Sequence, residues 1–82
     1  MGLAFTKHAL ERMAKRQLQR HWVEEVGQNP SRVEPDPVDA ALEHRLAPVT
    51  EPEGRVLRVI VSKGQPTRVI TAHLDRKLKG QL

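Results

Sequence analysis

A chain of 82 residues, 38% hydrophobic and 29% charged, is the length of one small α+β or similar domain and too short for two. It contains no cysteine, which excludes disulfides, thiol catalysis and thiolate metal sites. Phe5 and Trp22 are its only aromatic residues, so stacking nucleic-acid bases on an aromatic platform is not its expected mode of binding.

Charge is unevenly spread. The net value is +4, but Lys7, Arg12, Lys15, Arg16 and Arg20 stand against Glu11 alone in residues 1–20. The middle, residues 21–54, is acidic and holds only Arg32 and Arg45 as bases. Residues 55–82 are basic again, with Asp75 their one acid. One reading is a basic surface for a polyanion, built from the two ends of the chain; the other is an acidic middle that folds back and neutralises those ends. Lys7, His8, Glu11 and Arg12 interrupt any signal-like apolar run, and no stretch approaches the roughly 20 apolar residues of a membrane span. A soluble, cytoplasmic protein with no membrane partner is the expectation.

In chain order, Thr6 caps a first helix predicted over 7–16, with Ala9, Leu10, Met13 and Ala14 on its apolar side. A second helix is predicted over 19–28, with Trp22, Val23 and Val26 inward and Asn29-Pro30 ending it. Arg32-Val33-Glu34 reads as a short strand, residues 38–42 as either a helical turn or a loop, and 43–49 as an edge strand stopped by Pro48. Pro52-Glu53-Gly54 reads as a turn. Two clear strands, 55–62 and 67–74, flank Lys63-Gly64-Gln65-Pro66 as a hairpin. Strict alternation puts Leu57, Val59 and Val61 on one face of the first and Arg58 on the other. In the second it groups Ile70, Ala72 and Leu74 with Arg68, against Val69, Thr71 and His73. The result is two N-terminal helices on a three- or four-stranded antiparallel sheet, an ordered core of about 5–75 and a flexible basic tail over 76–82.

Four constellations carry chemistry. The four histidines, His8, His21, His44 and His73, lack metal-ligand spacing, so no metal and no cofactor is expected. A helix-turn-helix DNA reader fits poorly, because Glu24 and Glu25 would face the phosphates. His8 and Arg12 lie one turn apart on the first helix, where an imidazole suits acid–base work and a guanidinium suits phosphate; a merely solvated basic face is the plainer explanation. Arg58, in the middle of an apolar strand, needs a reason: a phosphate-binding sheet face shared with Thr71 and His73, or an Arg that snorkels or pairs with an acid of the middle segment.

The run Phe5-Thr6-Lys7-His8-Ala9-Leu10-Glu11-Arg12-Met13-Ala14-Lys15-Arg16, the Gln28-Asn29-Pro30 stop and the closing hairpin together resemble a bacterial family of unknown function, the DUF catalogued as four-two-five-eight. The likeness runs from about Phe5 to Lys77. The family is grouped with RelE and BrnT toxins and with barnase-like and colicin-like ribonucleases, and the resemblance implies their architecture of helices on a four-stranded antiparallel sheet. It implies candidate residues at His8, Arg12, Arg58 and Thr71; His73 stands where such proteins often carry an aromatic residue. The implied activity is metal-independent RNA cleavage by a toxin-like protein held by an antitoxin, with RNA or the ribosome as target. His8 or His73 would act as base or acid, Arg12 and Arg58 would hold the phosphate, and Lys7, Lys15 and Arg16 would contact RNA. The rival is a non-catalytic RNA-binding or protein-interaction domain of the same fold.

Overall fold

A computed structural model describes residues 3–50 and 53–82. Its elements are β1 (Ala4–Phe5), α1 (Lys7–Lys15), α2 (Arg20–Gln28), β2 (Arg32–Pro35), β3 (Leu42–Pro48), β4 (Val56–Ser62), β5 (Arg68–Asp75) and a short 3-10 helix, Arg76–Leu78. The expected turn at 52–54 falls partly outside the described residues, since residue 52 is not among them.

The cap of α1 also ties it to the sheet. Thr6 Oγ1 accepts from the Ala9 amide at 3.0 Å and donates to the Val69 carbonyl at 3.1 Å. At the other end the Leu18 amide donates to the Met13 carbonyl at 2.9 Å and the Gln17 amide to that of Ala14 at 3.2 Å. That is a Schellman turn, with Gln17 at φ 56° in the left-handed position that usually takes glycine. Leu18 and Met13 both enter the core, the apolar contact that goes with this turn. Helix α2 ends at Asn29, whose amide reaches the Glu25 carbonyl at 2.7 Å before Pro30 stops the helix.

The sheet has five strands in the order β1-β5-β4-β3-β2, and it is mixed. This corrects the expectation of three or four antiparallel strands: Ala4 and Phe5 pair in parallel with Arg68 and Val69. Two residues are too few to show alternation, and the pairing partner lies some sixty positions away, so neither periodicity nor turn chemistry marks β1. Strand β3 is interior, paired with β4 on one side and β2 on the other, where the sequence suggests an edge. The true edge there is β2. The ambiguous stretch before β3 is a loop, held by the Asp36 carboxylate, which accepts from the amides of Val38 and Asp39 at 3.0 and 2.8 Å.

Leu57, Val59 and Val61 face α1 and α2, as alternation predicts. Strand β5 departs from strict alternation. Its register with β4 shifts at Ile60/Val61, so that Thr71 faces Ile60 but Val69 faces Val61. Ile70 is the extra residue. Val69 therefore joins Ala72 and Leu74 against the helices, and Ile70 does not.

Candidate functional site on the open sheet face

Because β4 alternates, Val56, Arg58 and Ile60 point away from α1 and α2. Register places Leu46 and His73 on either side of Arg58, Arg32 beyond Leu46, and His44 beside Ile60. Leu46 and Val56 are fully buried on this face, although neither helix covers it. Charged side chains lie over this apolar floor, and Arg58 is at their centre.

Four of the five N–H groups of Arg58 have partners. Nε and Nη2 donate to Asp75 Oδ2 at 3.1 and 2.7 Å. Nη1 donates to Glu34 Oε1 at 3.1 Å and to His44 Nδ1 at 2.7 Å. Arginine cannot accept, so His44 Nδ1 is the acceptor and the ring proton sits on Nε2, which donates to Asp36 Oδ1 at 2.7 Å. A carboxylate thus fixes an imidazole, and the imidazole fixes a guanidinium. Burial opposes the charge on Arg58, but the hydrogen bonds to Asp75 and Glu34 outweigh it and raise its pKa. Asp75 is lowered, chiefly by the Arg58 hydrogen bond. Asp36 is lowered to about 2, first by the Asp39 amide, then by His44 and the Val38 amide. The plainer explanation of a mid-strand arginine, pairing with an acid of the middle segment, therefore describes Glu34, and Asp75 adds a second acid.

His73 stands beside this network. Burial first, then the Arg16 and Arg58 cations, push its pKa below the ordinary value, with Asp75 pulling the other way. Arg16 gets there from the end of α1: its Nη1 donates to the Ala72 carbonyl at 2.8 Å and the Thr71 hydroxyl at 3.3 Å. It covers the edge of β5 beyond the short β1 pairing.

Arg58, Thr71, His73 and Arg16 are thus brought together. His8 and Arg12 are not joined to them. Arg12 Nε donates to His8 Nε2 at 3.4 Å on exposed α1, and neither residue hydrogen-bonds Arg58, Thr71 or His73. Lys7 and Lys15 are exposed on the same helix. Asp36, His44, Glu34 and Asp75 are site residues that the sequence reading misses. His44 shares a strand face with Leu46, and Asp75 with His73, so their side of the sheet was readable; their partner was not. Among the described residues no group of three His, Asp or Glu side chains is placed to hold a metal ion. A groove of about 480 Å³ lies at the C-terminal end of α2 and one of about 430 Å³ runs along that helix from His21 to Asn29; neither includes Arg58, Thr71 or His73.

The charge segregation has a spatial counterpart. α1 packs against β5, β1 pairs with β5, and the 3-10 helix follows β5 directly. Lys7, Arg12, Lys15 and Arg16 are thereby neighbours of the strand that carries Arg68 and runs into Arg76 and Lys77. Among the described residues no ion pair engages any of these cations, whereas Arg20, Arg32, Arg45 and Arg58 are all paired to acids.

The family model described as "Domain of unknown function (DUF4258)" matches residues 5–73, which run from β1 through His73. No curated protein and no solved structure matches the chain.

Proposed function

The chain belongs to the DUF4258 family, and we propose that this member binds RNA along its α1–β5 side. The observation that carries the reading is the meeting of Lys7, Arg12, Lys15 and Arg16 with Arg68, Arg76 and Lys77 on adjoining elements, none of them in an ion pair among the described residues. Cations free of acid partners release counterions on meeting a phosphate backbone, which gives affinity without sequence readout. With two aromatic residues in the chain, the contacts are to phosphate and sugar rather than to stacked bases. The test is binding of a labelled single-stranded RNA at rising salt. Lys15→Glu with Arg16→Glu should weaken binding and flatten its salt dependence; Glu24→Gln, on α2, should not. Binding indifferent to salt and to the double variant would end this reading.

A second reading is favoured by His73. An imidazole kept neutral between two guanidinium groups, at the border of the basic side, has the form of a base for a ribose 2′-hydroxyl beside cations for the phosphate. On this reading the protein is a toxin-like, metal-independent endoribonuclease, and an acidic antitoxin would cover the same basic side. Incubation with RNA in EDTA, with and without ribosomes, separates the two. Cleavage abolished by His73→Ala supports the nuclease; intact RNA in both conditions leaves the binding reading alone.

A further inference from the structure

We propose that the open sheet face contains a phosphate-binding site between Arg32 and Arg58, kept shut by the carboxylate of Glu34. Glu34 bridges the two guanidinium groups, its Oε2 on Arg32 Nη2 at 2.8 Å and its Oε1 on Arg58 Nη1 at 3.1 Å. Two guanidinium groups converging on one pair of oxygens is the arrangement that recognises a phosphate, and the carboxylate here stands in for it.

One wall of the site is rigid and the other is movable. Arg58 is held from behind by Asp75 through Nε and Nη2, and its Nη1 is aimed by His44, itself fixed by Asp36. Removing Glu34 therefore leaves the guanidinium in place. Glu34 instead sits on β2, the edge strand of the sheet, with its side chain 29% exposed. No strand lies beyond it, so the carboxylate is free to rotate into solvent when a competing anion arrives. Arg32, the second donor, is half exposed and follows an incoming ligand easily. A phosphate carries more oxygens and more charge than the carboxylate it replaces, and it would take the Arg58 Nη1 N–H that Glu34 gives up together with the guanidinium fork of Arg32. The ligand class is a phosphate group, free or at the end of a nucleotide. The site spans β2 to β4, and although Arg58 adjoins His73 of β5 it uses none of Lys7, Arg12, Lys15, Arg16 or Arg68, so variants of those cations separate it from RNA binding on the α1–β5 side.

The internal control is Glu43, which pairs with Arg45 at 2.9 Å and is about as exposed as Glu34. Wild type, Glu34→Gln and Glu43→Gln would be titrated with inorganic phosphate and with adenosine 5′-monophosphate, following arginine Nε–H resonances by NMR. Each variant changes the net charge equally. Glu34→Gln should tighten phosphate binding about tenfold and shift the Arg58 resonance, while Glu43→Gln should do neither. Adding Arg32→Ala to Glu34→Gln should remove the gain. A gain with both ligands identifies a free-phosphate site, and one with the nucleotide alone identifies a phosphate-ester site. Equal changes in the two Gln variants, or a gain that survives loss of Arg32, would overturn the proposal. Glu34→Ala is the second variant should Gln disturb the fold, and Arg32→Ala in the otherwise unaltered chain should weaken whatever phosphate binding wild type shows.

Discussion

Arg58 and His73 are direct partners across the β4–β5 ladder, so a guanidinium anchored by Asp75 stands next to an imidazole on the same sheet face. Burial disfavours the imidazolium, and Arg16 and Arg58 add to that, so the folded protein binds this proton less well than the unfolded chain. The unfolded chain therefore holds more protons as the pH falls below about 6.5, the ordinary histidine value, and stability drops with it. Urea unfolding at pH about 7.5 and about 5.5 should show a lower midpoint at the acidic pH, and His73→Gln should remove part of that difference.

Arg58→Ala should destabilise the domain by about 2–3 kcal/mol, because it strands Asp75 over an apolar floor and leaves His44 Nδ1 without its donor. Arg58→Lys should recover little of the loss, since an ammonium cannot serve Asp75, Glu34 and His44 from one planar fork. Denaturant midpoints of the three proteins at neutral pH measure this.

The bulge in β5 makes a paired prediction. Val69 is fully buried and Ile70 only half-buried. Val69→Asp should prevent folding, because it places an unpaired carboxylate among Leu57, Val59 and Val61. Ile70→Asp should leave a folded protein. Strict alternation along the strand requires the opposite order, so far-UV circular dichroism of the two variants decides between them.

Gln17 occupies the left-handed position of the turn that ends α1. Glycine has no steric penalty there, so Gln17→Gly should raise stability by up to about 1 kcal/mol despite the greater freedom it gives the unfolded chain. The change should appear as a higher melting temperature with Arg16 still on the β5 edge, read from an unaltered His73 titration.

Elements that announce themselves locally are readable from the sequence. The Thr6 cap, the apolar stripes ending at Asn29-Pro30 and the alternation of Leu57, Val59 and Val61 all place structure where it is found. Strand order is another matter. Whether β3 is an edge or an interior strand depends on β2 pairing with it, and β1 consists of two residues whose partner is β5. The bulge at Ile70 is an inserted residue with no compositional mark, and it swaps Val69 and Ile70 between faces. For the site, Arg58, Thr71 and His73 follow from a period of two, which needs only the strand. The contacts of Asp36, His44, Glu34 and Asp75 with Arg58 and with one another depend on three strand registers and a loop, and no window of sequence contains them.

The pairing of β1 with β5 also bears on how the chain is made. Synthesis is vectorial, and the strand against which β1 and α1 lie is the last of the five to be translated. α1 packs chiefly on β5, so a nascent chain ending at Ser62 lacks the strand on which that helix lies with Ala9 and Met13 inward. Local helix formation can precede translation of β5, but closure cannot, and contacts of such long sequence separation form slowly. The basic side, built from both ends, is consequently absent from every partial product and exists only once β5 has been added and docked.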